Sequence, residues 1–255
     1  MISPTDTVTE ALLKARRDHR PANADALTDA LSEPTQAYEV QRAVARSLRW
    51  FDGHVPMHWK SGGPSREVTL THAPLPSAGV WRSPADARHW SFTSRSIEAE
   101  IALRLAQPVD HALATSLDRA GAESLLDAMA VSIEIVDSRW LQGMGAAPLL
   151  RLADLQTHGA LVLGDWVPYA ARDWSAQRCR VLIGERPPVE RCGTHTLGGP
   201  SWGLRDWLLH ATRDGAVLPA GTVVTTGTWV GVLPAAAGER VRVEFEGIGD
   251  AQVQL

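Results

Sequence analysis

The order of apolar and polar positions divides the chain into a helical start and a longer stretch that switches between strand and helix periods. Thr7 and Glu10 have the spacing of a capping box ahead of Ala11, Leu12 and Leu13, so a first helix is expected there, running out near Arg20-Pro21. A second is expected after Ser32-Glu33-Pro34. Its stripe is Val40, Val44 and Leu48 at i, i+4 and i+8, and it closes at Gly53. Over 53–84, Gly, Pro, Ser and His dominate, which predicts loops and short strands. Ser96–Leu105 alternates as a strand does, whereas 116–130 reads as a helix with Ser116 as its cap. Short apolar runs at 131–136 and 160–163 read as strands, and Arg178–Ile183 turns at Gly184-Glu185 as a hairpin would. Ser201 is expected to cap a helix carrying Leu204, Trp207, Leu208 and Ala211, and 222–226, 240–246 and 251–255 read as strands. The chain is therefore expected to be α+β, with a helical N-terminal segment, 1–52, ahead of a β-rich core, 53–255.

Composition narrows the function classes. With 25 basic and 29 acidic residues the formal charge is −4, and no cluster of Lys and Arg stands out, which argues against nucleic acid or an anionic membrane as partner. No apolar run approaches the roughly 18 residues of a membrane span, and the N-terminus lacks the pattern of a signal peptide. Cys179 and Cys192 form no CxxC pair, so a reducing, cytoplasmic setting is expected. Arg so outnumbers Lys that only Lys14 and Lys60 carry an ammonium, as GC-rich coding would produce. Under that pressure a retained lysine marks a position needing a compact, titratable amine.

Three segments carry candidate chemistry. On a strand, Glu98 and Glu100 share a face about 7 Å apart. They form either a solvated edge or, with a cation to neutralise them, a pair of oxygen ligands suited to Mg²⁺, Mn²⁺ or Ca²⁺. Glu134 lies between Ile133 and Ile135, so it faces away from them, and Asp137 and Arg139 can pair as structural ions. Lys60, in the Gly-rich stretch His58-Trp59-Lys60-Ser61-Gly62-Gly63, is either a surface lysine or an amine in a turn that a ligand can approach. HExxH, GxSxG, GxGxxG and Walker A patterns do not occur.

Taken in order, several stretches resemble the 2-keto-4-pentenoate hydratase branch of the fumarylacetoacetate hydrolase superfamily. They are Ala37-Tyr38-Glu39-Val40-Gln41, Lys60-Ser61-Gly62, Ile97-Glu98-Ala99-Glu100-Ile101-Ala102 and Ile133-Glu134-Ile135-Val136-Asp137-Ser138-Arg139. Ala153-Asp154, Val162-Leu163-Gly164 and the run from Gly221 to Thr228 continue it, so that it covers roughly residues 35 to 255. The resemblance implies a mixed β-roll core and a divalent metal, Mg²⁺ or Mn²⁺, held by Glu98, Glu100 and Glu134. It implies Lys60 as the active-site lysine, Asp154 as an acidic group near the pocket with a catalytic role, and Gly62, Gly227 and Thr228 as substrate contacts.

The activity implied is a hydro-lyase of aromatic catabolism that adds water to a 2-hydroxydienoate or 2-oxo-alkenoate. A metal-dependent decarboxylase of an oxalocrotonate-like 2-oxo diacid, or a non-catalytic partner subunit, is the alternative. The partners implied are a small 2-oxo acid and further copies of the chain, or a complex with a related decarboxylase. The chain departs from the family pattern at Ser61-Gly62, at Leu155 after Asp154, and at Leu75-Pro76-Ser77-Ala78-Gly79, where a carboxylate is absent. A different acid–base apparatus is expected in consequence. The hydrolase branch's N-terminal tyrosine-and-histidine signature is also missing, which weighs against C–C bond hydrolysis.

Overall fold

Both N-terminal helices begin on a proline, whose fixed φ and missing N–H suit a first turn. In a computed structural model of the chain, which describes residues 3–255, α1 spans Pro4–Asp18 and α2 spans Pro34–Ser47. Met1 and Ile2, where the expected segment 1–52 begins, lie outside the described residues. The capping box of α1 is formed by Ser3 and Asp6, one turn earlier than the Thr7 and Glu10 spacing suggested. Thr7 already lies inside the helix and donates its hydroxyl back to the Ser3 carbonyl. The second helix stops at Ser47, well before Gly53.

The remaining helices are short: α3 (His111–Ser116), α4 (Arg119–Glu123), α5 (Pro148–Ala153) and α6 (Leu204–Thr212). Ahead of α6 stands Gly203, and Ser201 contributes only its carbonyl, which accepts from the Leu204 N–H. The strands in chain order begin with β1 (His58–Gly62), β2 (Thr71–Pro74), β3 (Val80–Arg82), β4 (Ala85–Asp86), β5 (Ser96–Leu105) and β6 (Leu126–Val136). Next come β7 (His158–Leu163), β8 (Val167–Pro168), β9 (Arg178–Ile183) and β10 (Val189–Cys192). The series ends with β11 (Val223–Thr225), β12 (Leu233–Pro234), β13 (Arg240–Phe245) and β14 (Gly249–Gln254).

These strands form two mixed sheets. The larger runs β2-β1-β11-β5-β6-β7-β3, with β12 against β5 and β8 against β6, and the smaller runs β10-β9-β13-β14-β4. The main core lies between them, where Ile97, Ile101, Ile133 and Ile135 meet Val181, Val243 and Val253. The expected helix over 116–130 is absent. Asp118 caps only the single turn of α4, and from Leu126 the chain pairs along nearly the whole of β5. Leu, Ala and Met favour a helix in isolation, but burial on both faces of a central strand outweighs that preference. No helix among the described residues is long and apolar enough to cross a membrane.

The N-terminal helices share a second core with the loop that follows β6. Val8 and Leu12 of α1, and Val40 and Val44 of α2, pack with Trp140 and Leu150. The Trp140 indole N–H donates to the Leu150 carbonyl at 2.8 Å, so the ring joins the helical segment to α5. Trp140→Ala is expected to destabilise the protein by about 3–5 kcal/mol in urea unfolding, with Trp140→Phe costing clearly less. A loss for Trp140→Ala below about 1 kcal/mol would show that the two parts do not share this core.

Candidate active site

Strand register gathers the candidate residues on one face of the larger sheet. In the antiparallel ladder of β5 and β6, Glu98 stands directly across from Glu134, and Glu100 across from Ser132. Ile97, Ala99, Ile133 and Ile135 point into the core between the sheets, so the two-residue period sends the glutamates to the opposite face. One carboxylate oxygen from each of Glu98, Glu100 and Glu134 lies within 4.8 Å of the other two. Lys60 arrives from β1 by way of β11, where it pairs with Thr225, itself paired with Ala102 of β5. Lys60 is therefore a strand residue, buried to 9% exposure, and not a surface lysine in a turn. Its Nζ donates to Glu134 Oε1 at 2.5 Å and to the Gln156 carbonyl at 3.2 Å.

The four groups divide their charge unequally. Burial, and next the charge of Glu134, push the Glu98 carboxyl up to about 7. Burial followed by Glu134 and Glu98 pushes Glu100 up to about 8. Burial also opposes ionisation of Glu134, but the charge of Lys60 and the hydrogen bonds from His158 and Lys60 outweigh it and hold that group below its usual value. For Lys60, burial favours the neutral amine, yet Glu134, Glu98 and Glu100 together hold the ammonium above its ordinary range. Burial depresses His158, and its Nδ1–H donates to Glu134 Oε1 at 3.0 Å.

A divalent cation fits this arrangement. Lys60 and Glu134 neutralise each other, so two positive charges are what Glu98 and Glu100 need in place of protons. Glu134 Oε2 is buried with no hydrogen-bond partner, which leaves it as a third donor. Three carboxylates are an all-oxygen set of the kind Mg²⁺, Mn²⁺ and Ca²⁺ take.

A cleft of about 600 Å³ opens above the carboxylates, and Lys60, Gly62, Glu98, Glu100, Gly227 and Thr228 all line it. Gly227 has φ +102, a conformation that favours glycine, and it turns the chain out of β11 into the cleft wall. The Thr228 hydroxyl donates to the Gly231 carbonyl at 3.0 Å and so fixes its own turn. A second cavity, of about 490 Å³, lies on the side of β1 facing α2 and α6 and contains none of the glutamates.

Asp154 does not reach the cleft, contrary to the expectation from the sequence. It is fully buried, and its carboxylate accepts from Arg139 Nε at 2.6 Å, the Arg139 backbone N–H at 2.8 Å and Arg16 Nη2 at 3.1 Å. It thus ties α1 to the loop after β6, and its lone pairs are committed to buried Arg139 and half-buried Arg16. Asp137 and Arg139 do approach each other, at 3.6 Å, but Arg139 binds Asp154 more closely.

Several contributors carry no local signal in the sequence. Leu155, Gln156 and Thr157 are three successive non-glycine residues with φ between +52 and +63, each costing roughly 1–2 kcal/mol. That turn aims the Gln156 carbonyl at Lys60 and lets the Gln156 amide donate to Thr71 Oγ1. The Thr225 hydroxyl donates to Glu100 Oε2 and lies 3.0 Å from Ser132 Oγ. The strand pattern of 222–226 and the family-like run from Gly221 to Thr228 pointed toward Thr225, and nothing pointed toward Gln156 or His158.

The chain resembles known proteins in family and in fold. Residues 74–255 match the family described as fumarylacetoacetate (FAA) hydrolase C-terminal, and the chain belongs to that family. A solved 4-oxalocrotonate decarboxylase from Pseudomonas putida G7, complexed with magnesium and adipate, superposes with a TM-score of 0.81 at 18% identity, covering 97% of this chain and 95% of its own. Fumarylpyruvate hydrolase from Pseudomonas aeruginosa, in complex with Mn²⁺ and pyruvate, gives 0.55 at 14% identity, over 79% of this chain and 89% of its own. For 5-carboxymethyl-2-hydroxymuconate delta-isomerase from Mycobacterium smegmatis the values are 0.54 and 18%, over 78% of each chain. At such identities the likeness is one of fold. No curated protein matches the sequence significantly. The fold is that of the expected β-roll with N-terminal helices.

The structural role of Asp154 has a direct test. Asp154→Asn leaves buried Arg139 and half-buried Arg16 with a weakened partner and should destabilise the protein by about 3–5 kcal/mol in urea unfolding. A variant of unchanged stability with abolished turnover would instead make Asp154 a catalytic group.

Proposed function

We propose that this chain is a metal-dependent lyase that adds water to a 2-hydroxydienoate or its 2-oxo-alkenoate tautomer. The observation that carries this reading is one buried lysine paired into a cluster of three carboxylates, Glu100 and Glu134 buried and Glu98 half-buried, at the floor of a cleft sized for a small molecule. Glu98, Glu100 and Glu134 would hold the cation, and the magnesium, calcium and manganese in structures of similar fold support that assignment. Bound there, a divalent ion supplies Lewis-acid stabilisation of negative charge developing on the oxygens of a 2-oxo acid.

Lys60 performs the proton transfers. The glutamates keep its ammonium charged, so Nζ can deliver a proton to the far end of the conjugated chain. The 2-hydroxyl proton passes to solvent in that step, which leaves the 2-oxo-alkenoate. The neutral amine then accepts a proton from the water whose oxygen bonds to the distal carbon of the remaining double bond, and a solvent proton is taken up by the carbon beside the ketone. The Gln156 carbonyl holds Nζ in place throughout, and the neutral His158 steadies Glu134 without competing as a charge.

Decarboxylation of an oxalocrotonate-like 2-oxo diacid is the second reading. It is favoured by the superposition on 4-oxalocrotonate decarboxylase over 97% of this chain, against 79% for the fumarylpyruvate hydrolase. Spectrophotometry of 2-hydroxydienoates and their diacid analogues with Mg²⁺ or Mn²⁺ separates the two. Loss of the dienol band without CO₂ release is expected, and CO₂ release would mark the decarboxylase. No reaction on any of them would identify an inert partner subunit. Lys60→Arg should lower turnover by about tenfold or more, because a guanidinium does not titrate in this range. It should also lower the melting temperature, since Lys60 is buried and paired.

A further inference from the structure

We infer that Arg151 binds a second, distal carboxylate of the substrate, so that this chain selects a 2-oxo diacid over the monoacid of equal length. This rests on the 2-oxo acid reading above and adds the group at the far end of the molecule. Arg151 projects from α5 into the same cleft as Lys60 and the glutamates. Its Nε is buried without a hydrogen-bond partner. The Nε atoms of Arg16, Arg172 and Arg95 are likewise buried and unpaired, but Arg16 and Arg172 each place another guanidinium nitrogen on a protein oxygen, and Arg95 lies over the Phe92 ring, outside the cleft lining. Among the described residues Arg151 has no side-chain hydrogen bond and no carboxylate within 4.0 Å, the three glutamates included.

A guanidinium partly withdrawn from water and left without an acceptor is unfavourable unless a ligand completes it. Its neighbours on α5 that line the cleft, Pro148, Leu149 and Leu152, are apolar and offer nothing to pair with. The other cation there, Lys60, is already engaged by Glu134. The planar fork of Arg151 matches a carboxylate in bidentate fashion. A molecule whose 2-oxo acid end lies at the glutamates would thus be read at its other end by α5.

The same contact bears on the reaction. A carboxylate that departs as CO₂ must lose its charge, and an arginine clamp favours the charged ground state over that transition state. Arg151 therefore suits a diacid whose distal carboxylate is retained while water adds.

Two saturated acids that cannot be hydrated, 2-oxoadipate and 2-oxohexanoate, differ only in the distal carboxylate. Calorimetry on the Mn²⁺-loaded wild type should show 2-oxoadipate binding about tenfold to a hundredfold more tightly, the range of a charge-assisted hydrogen bond. Arg151→Gln should abolish that advantage and leave 2-oxohexanoate affinity unchanged, while Arg151→Lys should retain part of it. Equal affinities in the wild type, an advantage that survives in Arg151→Gln, or no binding of either acid would overturn the assignment. The wild-type ratio decides even if the glutamine variant fails to fold. Failure of the metal-dependent reading is seen separately, as absence of heat when Mn²⁺ alone is titrated.

Discussion

The ion pair of Lys60 with Glu134 sets the electrostatics of everything around it. Both groups are withdrawn from water, and they are 2.5 Å apart, so each keeps the other ionised against a desolvation penalty of several kcal/mol per ion. Once that pair is neutral in sum, Glu98 and Glu100 are left facing a third carboxylate in a poorly solvated cleft. They respond by holding protons, with values near 7 and 8. The same arrangement makes the cluster receptive to a dication and keeps the Lys60 ammonium charged. In the proposed reaction, metal binding and proton transfer would draw on one charge balance, and disturbing Glu134 should disturb both.

The scaffold enforces this geometry through register. A slip of one residue between β5 and β6 would send Glu134 into the core and Ile133 into the cleft. The core against the smaller sheet prevents it, because Ile97, Ile101, Ile133 and Ile135 are all fully buried there. Lys60 depends on a second set of pairings, β1 to β11 and β11 to β5. Behind these strands, Asp154 and its two arginines anchor the helical segment to the loop that precedes the left-handed turn at Gln156. The strain in that turn is supported by the helical segment and by the Lys60 contact it creates.

Much of the glutamate cluster was legible in the sequence because strands leave a simple imprint. The alternation of 96–105 puts Glu98 and Glu100 on one face of a strand, and the isoleucines flanking Glu134 turn it away from the side they occupy. Local pattern could not reveal which strands are neighbours, and Lys60 shows the consequence: Gly62 and Gly63 made it look like a turn residue, whereas β11 makes it part of a sheet. Helix boundaries failed where tertiary pairing overrode propensity, as in the stretch from Ser124 to Ala130. Asp154 was misplaced because its role depends on Arg16, a residue 138 positions away in sequence. Gln156 and His158 were missed because a left-handed turn built from Leu, Gln and Thr has no compositional mark.

On the proposed assignment, a cation replaces two protons held by Glu98 and Glu100 while Lys60 and Glu134 remain paired. Titrating Mn²⁺ into metal-free protein at pH 6, in two buffers of different ionisation enthalpy, measures it directly. Both carboxyls are raised above that pH and must ionise to bind, so release of about two protons per ion is expected, falling toward none near pH 9 as affinity rises. Binding without proton release at pH 6, or no binding at either pH, would contradict the account.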